Sequence, residues 1–526
     1  MTTGKPEPYY ITTPIYYVND IPHLGHTYTT VACDVLARFK RLDGYDVKFL
    51  TGTDEHGLKV HQAAAKAGID PQSFTDKVSQ NFRALTDLMN YSNDDFIRTT
   101  EPRHIKAAQA LWKKLEEAGD IYLDTYSGWY AVRDEAYYGE DELTETPDGQ
   151  KIAPSGAACE WVEEESYFFR LSAWEERLLA FYENNPGFIQ PDVRRNEVVS
   201  FVKSGLRDLS ISRTNFDWGV PVPGNDKHVM YVWIDALTNY LTALGYPDTD
   251  ALDFKSFWPA DLHMVGKDIL RFHAVYWPAF LMAAGLEPPK RIFAHGWWTI
   301  EGQKMSKSLG NVIAPHDLVD RYGLDQTRYF LLREVPFGND GNFSHAHALQ
   351  RVNSELANGL GNLMQRTLSM IHKNCDQKMP EPQDLAPEDQ ALLAVAQDTM
   401  LQRIRKHLDA QKFHLAIEEI VKLTNDANAY IDTQAPWKLK KENPARMGTV
   451  LYVLAEVTRC LALAMQPFTP DSAARMLDQL GVADEKRALS CLCAAEALRP
   501  GTPIAAPEGI FPRLVVAEET KQEAAG

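Results

Sequence analysis

Paired cysteines are absent from this 526-residue chain: Cys33, Cys159, Cys375, Cys460, Cys491 and Cys493 are scattered, and no Cys-x2-Cys spacing occurs. That argues against a disulfide framework and leaves no evident zinc knuckle, so reduced thiols are expected. Cys491-Leu492-Cys493 reads as the apolar face of a late segment. No run of about 20 apolar residues suggests a membrane span. The opening MTTGKPEP is neither a basic-then-apolar signal nor an arginine-rich transit segment. A cytoplasmic protein with no membrane partner is the expectation. Positive charge is also in deficit: 54 Lys and Arg against 72 Asp and Glu give −18, which excludes a generally basic nucleic-acid coat. An RNA partner would need a local basic face. No internal repeat or long low-complexity run is visible, and the length allows roughly two to four domains with full cores.

What organises the chain is the stretch 9–57. Tyr9 to Tyr17 is rich in β-branched and aromatic residues, is bounded by Asn19-Asp20 and Pro22, and predicts a buried strand. From Thr27 the apolar residues Val31, Val35, Leu36, Phe39 and Leu42 recur at helical spacing up to Gly44, and Val47 to Leu50 predicts a second strand. Together they form a β-loop-α-β unit of the kind that builds parallel nucleotide-binding sheets. The loop departs from the dinucleotide pattern, carrying His23-Leu24-Gly25-His26 in place of three spaced glycines. Two imidazoles, and one glycine for close backbone approach, thus stand at a helix N-terminus, where N–H groups and the helix dipole attract phosphate. Alone, that motif is as well explained by two histidines in a polar turn. A second motif far downstream, Lys304-Met305-Ser306-Lys307-Ser308 with Gly302 and Gly310 to flex it, changes the balance.

A strand, then His-x-Gly-His, then a distant Lys-Met-Ser-Lys-Ser resembles the signature pair of class I aminoacyl-tRNA synthetases. With the spacing, the intervening motifs and the C-terminal segment, the resemblance to the methionyl branch covers essentially the whole chain. It implies two steps: a methionine carboxylate attacks the α-phosphorus of ATP, and a tRNA terminal hydroxyl then takes the acyl group from the adenylate. The substrate supplies the first nucleophile, so catalysis must come from positioning and from stabilising charge spread over the phosphates. By this resemblance His23, His26, Lys304 and Lys307 are the catalytic residues. ATP, accompanied by Mg2+, is assigned to His23, Gly25, His26, Gly266, Lys267, His295, Gly296 and Lys307.

Methionine offers an ammonium, a carboxylate and a thioether. Asp54, in Gly52-Thr53-Asp54-Glu55-His56-Gly57 at the end of the second strand, is placed to pair with the ammonium, although a helix N-cap would use it equally well. The thioether asks for an apolar, aromatic-lined slot, and Ile15, Tyr17, Trp233, Ala236, Tyr240 and His273 match the family's side-chain pocket. Pro14 and Leu237 leave its shape open. Discrimination against one fewer methylene is modest, of order 1 to 3 kcal/mol. The resemblance therefore implies correction of homocysteine within the synthetic site, by thiolactone formation.

The remainder of the chain supports an α/β class: a Rossmann-like parallel-sheet catalytic domain with a connective insertion, followed by an all-α helical-bundle anticodon-binding domain. The boundaries expected are 1–118 for the first catalytic half, 119–216 for the insertion, 217–350 for the second half with the Lys304 loop, and 351–526 for the helical domain with a frayed acidic tail. Pro71 to Asn90 and Pro102 to Ala118 predict helices. Within Trp129 to Leu143 of the aromatic, acidic insertion, Ala131, Asp134 and Ala136 stand where many relatives carry zinc thiolates. Cys159 alone cannot close a tetrahedral site, so no structural zinc and no other bound metal are expected, with aromatic packing in its place. The insertion is also too short for the hydrolytic editing domain of the isoleucyl, valyl and leucyl members.

In the second half, Val229 to Leu237 predicts a strand running into a helix, Leu262 to Asp268 a strand with a glycine turn, and Arg291 to Ala294 a third strand. Leu392 to His407, Phe413 to Ile431 and Val450 to Met465 predict helices. Trp437, after Pro436 at a helix break, could stack on an anticodon base, a contact worth roughly 1 to 3 kcal/mol. Lys438, Lys440 and Lys441 add local positive charge. The partners implied are initiator and elongator tRNA(Met), and a monomer is expected. A cysteinyl enzyme would need thiolates placed differently, a non-catalytic tRNA-binding paralogue should have lost its phosphate-handling residues, and a small nucleotidyltransferase would leave the helical domain unexplained.

Overall fold

The computed structural model describes residues 5–18, 21–131, 133–134, 136–305 and 311–515. The chain folds as two compact units. Of these described residues, one unit takes those within Pro8–Pro22 and Val47–His295, and the other takes His23–Asp46, those from Gly296 on and those before Pro8.

The first of these units is built on a seven-stranded sheet. Its strands run in the order Ile189–Gln190, Ile292–His295, Leu262–Gly266, Pro8–Thr12, Asp46–Asp54 and Tyr16–Tyr17, with Asp95–Arg98 also paired to Asp46–Asp54. The defined registers, among them Ile11 opposite Leu262, Val265 opposite Ala294, and Tyr17 opposite Asp54, are parallel. The single strand expected over Tyr9–Tyr17 is broken around Pro14, which has no N–H to offer a ladder. Gly52 meets its neighbouring strand so closely that an added Cβ would lie 2.1 Å from the Ile97 carbonyl oxygen. Helices Pro71–Leu88 and Pro102–Glu117 each begin with proline in the first turn, where a missing N–H costs nothing. Leu111 and Trp112 of the second helix join Tyr182, Tyr240, Trp277 and Phe280 in one large core.

A second element differs from expectation. Only Val229–Met230 is a strand, pairing antiparallel with Ser212–Arg213, and Val232–Leu237 is already helical. Trp233 and Ala236 therefore sit on a helix. A short apolar run fits a buried strand and a buried helix equally well.

The insertion is a six-stranded sheet dominated by the antiparallel pair Ile121–Ala131 and Ala158–Phe169. At its far end Ala131, Ala153, Ala157 and Cys159 form a small core under Trp129, Tyr138 and Leu143. Asp134 there accepts hydrogen bonds from Tyr138 Oη at 3.0 Å and from the Ser155 hydroxyl. Among the described residues no group of three or more His, Cys, Asp or Glu side chains could hold a metal ion.

The other unit joins the helix Leu24–Leu42 to a three-stranded sheet, Gln303–Lys304, Trp298–Ile300 and Gly341–Phe343, and to the C-terminal helices. The fully buried pair Asp34 and Arg328, 2.6 Å apart, fastens that helix. Arg328 also donates to the carbonyls of Pro467 and Phe468. Lys40 with Asp409 and Arg405 with Asp43 add two further ion pairs. The helices Asn362–Asn374, Phe413–Gln434 and Pro444–Met465 pack on one another as a bundle. Pro444–Met465 is long and apolar enough to cross a membrane by composition alone. Since 94% of its most apolar window is buried in the fold, it is a core helix. The tail expected to fray falls at 516–526, outside the described residues.

Candidate active site

Histidine caps the helix Leu24–Leu42. His23 is the N-cap, in extended backbone conformation, and its Nδ1 accepts from Gly25 N at 3.1 Å. The His23 N–H in turn donates to His26 Nδ1 at 3.1 Å. This is a capping box made of imidazoles, with the rings stacked at 3.9 Å. It fixes the tautomer. With both Nδ1 atoms accepting, the neutral rings carry their protons on Nε2, so each presents a ring N–H donor. Burial, helped by the neighbouring His23, holds His26 well below the usual imidazole range, so it is neutral at working pH. The first turn contains no acidic residue and the last turn contains Lys40 and Arg41, which leaves the positive end of the dipole to an anion. A Cβ on Gly25 would sit 3.0 Å from His23 Cε1, tighter than ordinary contact. The helix thus begins three residues before Thr27, from which its apolar spacing predicts it, with histidine in the N-cap place usually filled by Ser, Thr, Asp or Asn.

In the same unit, Gly296 lies against the backbone of the Phe337–Gly341 turn. An added Cβ would stand 2.3 Å from the Asn339 carbonyl carbon and oxygen and 2.6 Å from Asp340 N. Gly296→Ala is therefore expected to displace that turn and to lower adenylate formation at least about tenfold, read by pyrophosphate exchange. Wild-type activity would show that the turn yields without cost. Trp297 N donates to Asp340 Oδ1 at 2.8 Å beside it. Lys304 is on the strand Gln303–Lys304, whose turn is held by Asn342 Oδ1, accepting from Gly302 N at 2.7 Å and Thr299 Oγ1 at 3.0 Å. Lys307 lies outside the described residues.

The α/β unit carries the residues assigned to methionine and several assigned to ATP. Asp54, 3% exposed, ends its strand opposite Tyr17. Gly266 pairs in register with His295, and a Cβ on Gly266 would meet Asp268 Oδ1 at 2.4 Å. Lys267 opens the short helical turn that follows. Trp233 stacks on Phe272 with centroids 3.5 Å apart and planes 10° from parallel. Ile15 and Trp233 pack on the core that contains Tyr240, whereas Tyr17 packs on a separate cluster of Tyr16, Val18, Val60 and Phe82 with Trp218. Ala236 is buried.

His273 lies in a widened π-helical turn, Phe272–Tyr276. Its Nδ1 is 2.9 Å from the Ile269 carbonyl, which can only accept, so Nδ1 carries the proton and Nε2 receives the Tyr240 hydroxyl at 2.7 Å. Burial, opposed in part by that carbonyl, brings His273 down to about 4. An imidazole titrates at about 6.5 when unfolded. The stability lent by the neutral ring is thus complete above that value and lost as pH falls towards 4. Methionine KM is accordingly expected to show no inflection near pH 6.5 between about pH 5.5 and 8, measured by exchange across that range. An inflection there would mean that His273 titrates normally.

Trp437 is 44% exposed on the helix Pro436–Glu442, which follows a left-handed residue, Ala435. It lines a groove of about 300 Å³ with Gln365, Arg366, Ser369, Met370 and Ile431. The Arg366 guanidinium lies 5.4 Å from the indole centroid and is held by Asp432 at 2.6 Å. Arg366 was not legible in advance, since a helical arginine facing a tryptophan 71 positions later leaves no local pattern. Lys438, Lys440 and Lys441 are exposed nearby in sequence.

Comparison with known proteins places these features in context. Residues 9–368 match the family model "tRNA synthetases class I (M)", and residues 379–525 match the "Anticodon binding domain of methionyl tRNA ligase". The methionine--tRNA ligase of Brucella suis biovar 1 is 58% identical over 513 residues, covering 98% of this chain and 99% of its own. That of Rickettsia felis is 58% identical over 509 residues, covering 96% and 98%. Among solved structures, Mycobacterium tuberculosis methionyl-tRNA synthetase in complex with methionyl-adenylate is 54% identical with a TM-score of 0.94, covering 96% of this chain and all of that one. Its free-state form gives 0.88 at 50% identity, covering 98% and 99%.

Proposed function

The chain belongs to the methionyl family of class I aminoacyl-tRNA synthetases, and from that membership we propose how its residues divide the reaction. The protein is a methionine--tRNA ligase: it activates methionine with ATP to methionyl-adenylate and transfers the methionyl group to tRNA. The observation that carries the division of labour is the imidazole capping box, which holds the protons of His23 and His26 on Nε2 at the positive end of a helix. In this reading the two N–H donors stabilise charge on the ATP phosphates as the methionine carboxylate attacks the α-phosphorus. Lys304 and Lys307 draw off the pyrophosphate, carrying positive charge to the oxygens where negative charge accumulates. Gly266, Lys267, His295 and Gly296 take the nucleoside and phosphates, and magnesium enters as the counter-ion of ATP.

Asp54 takes the methionine ammonium, and Ile15, Tyr17, Trp233, Ala236, Tyr240 and His273 enclose the thioether. What supports the pocket is its chemistry: the Tyr240 hydroxyl and both His273 nitrogens are already engaged, which leaves aromatic surface suited to a polarizable sulfur. The functional division is 1–118, 119–216, 217–350 and 351–526. Trp437 stacks on an anticodon base of initiator and elongator tRNA(Met) alike, and the enzyme works as a cytoplasmic monomer. Homocysteine is rejected in the synthetic site as its thiolactone.

The test is ATP-pyrophosphate exchange on metal-stripped protein resupplied with magnesium, run with each of the twenty amino acids and with homocysteine. Exchange with methionine alone among the twenty is expected. Exchange restored only by added zinc would overturn the metal-free insertion, and a second proteinogenic substrate would overturn the pocket assignment.

A further inference from the structure

Two residues of the sequence motifs are left without a task by this reading. His56 follows Asp54 by two positions, and Asp235 stands between Trp233 and Ala236. They meet in the fold. His56 Nδ1 lies 2.7 Å from Asp235 Oδ2, and His104 Nε2 lies 2.7 Å from Asp235 Oδ1, so one fully buried carboxyl group holds an imidazole on each oxygen. His104 is steadied in turn by Thr242 Oγ1 at 3.2 Å, whose hydroxyl donates to the Thr238 carbonyl. Burial by itself would push Asp235 up, but the two imidazoles outweigh it and bring the carboxyl down to about 2, so it is ionised throughout the working range. Both histidine nitrogens facing it are therefore donors.

The turn bearing His56 is gripped from its other side as well. Trp218 Nε1 donates to the Glu55 carbonyl at 2.6 Å, Gly57 N donates to the Trp218 carbonyl at 3.1 Å, and the indole meets the His56 ring edge-on at 5.4 Å. The Glu55 carboxylate closes on Arg98 through two bonds of 2.7 and 2.9 Å and accepts from Thr53 and Thr100. The strand end is thus rigid, and the His56–Asp235 bond passes that rigidity to the helix Val232–Leu237.

We propose that Asp235 and His56 are a positioning pair that sets the spacing between Asp54 and the wall formed by Trp233 and Ala236, and thereby the side-chain length the enzyme accepts. An amino acid anchored at its ammonium by Asp54 reaches that wall only if its chain has the right length. A shift of the helix relative to the turn changes the length that fits, while the ATP site keeps its own supports. This inference rests on the proposed roles of Asp54, Trp233 and Ala236.

The test is pyrophosphate exchange by the full-length protein with methionine and with ethionine, which is longer by one methylene. Asp235→Asn replaces one carboxylate oxygen by an N–H donor facing an imidazole donor. It is expected to raise methionine KM roughly tenfold, to leave ATP KM within about twofold, and to cut the methionine-over-ethionine ratio of kcat/KM about fivefold. His56→Ala should reproduce this, and His56→Gln, which retains an N–H donor, should recover most of it. If Asp235→Asn does not fold, the His56 pair decides. A loss spread over kcat and both KM values with an unchanged ratio would reduce Asp235 to a structural role and overturn the proposal, as would wild-type behaviour. Asp54→Asn, run alongside, separates the premises: unchanged methionine KM there would remove Asp54 as the ammonium ligand, whereas a raised KM with an unmoved ratio in the Asp235 and His56 variants would overturn the positioning pair alone.

Discussion

Replacing His26 by alanine is expected to slow methionyl-adenylate formation by about two to three orders of magnitude while leaving methionine KM within roughly twofold. The ring does two jobs. Its Nε2–H is a donor at a helix N-terminus, and its Nδ1 accepts the His23 N–H that closes the cap. Losing the cap costs about 1 kcal/mol of stability, which appears in the unfolding midpoint and not in the chemical step. On the proposed role, losing the donor removes an interaction that strengthens only as charge spreads over the phosphates, which is why the rate constant should fall and substrate affinity should not. His26→Gln separates the jobs, because its amide oxygen can still accept from His23 while its NH2 group still donates. It should restore the midpoint and part of the rate. Single-turnover formation of the adenylate in a rapid-quench experiment is the direct measurement. A parallel rise in methionine KM would place His26 in the amino-acid pocket instead, and an unimpaired rate would take it out of the site. Since burial keeps the ring neutral, the rate should also show no inflection from His26 near pH 6.5.

The same helix shows where sequence reading reaches and where it stops. Its period was plain from Val31, Val35, Phe39 and Leu42, and its parallel-sheet neighbours followed from alternating strands and helices. Its true start at Leu24 was hidden, because the cap is made by histidines three residues apart and not by Ser, Thr, Asp or Asn. Its attachment was hidden too: Asp34 meets Arg328 across 294 positions, and no local pattern announces such a pair. Candidate site residues on strand ends, such as Asp54 and Gly266, were legible because their motifs combine turn signals with chemistry. His56, Asp235 and Arg366 were not, since each acquires meaning only through a partner brought up by folding. In the run from Val229 to Leu237, expected as a strand running into a helix, the early switch after Met230 was hidden because β-branched and aromatic residues satisfy a buried helix as readily as a strand.

Arg459→Ala is expected to destabilise the helical domain by about 3 to 5 kcal/mol, the range for removing one partner of a buried ion pair. Glu456, fully buried on the core helix Pro444–Met465, receives Arg459 Nε at 2.8 Å and Nη2 at 2.6 Å, Gln397 Nε2 at 2.8 Å, Leu498 N at 3.0 Å and the Cys460 thiol at 3.7 Å. Arg459 also donates to the Cys491 carbonyl at 2.9 Å, so the pair anchors the segment after Val482 to the helix at two points. Alanine would leave a buried carboxylate without its counter-charge and one of those anchors gone. The expected readouts are a lower midpoint for the helical-domain transition and faster hydrogen exchange over 484–498. Removing both charges with Arg459→Met and Glu456→Met together should cost less than Arg459→Ala alone, because the stranded charge, and not the lost attraction, carries most of the penalty. Charging of tRNA should fail at temperatures where methionine-dependent pyrophosphate exchange, which needs no tRNA, still proceeds. A double variant as unstable as the single one would show instead that packing around the guanidinium stem, and not its charge, holds this segment in place.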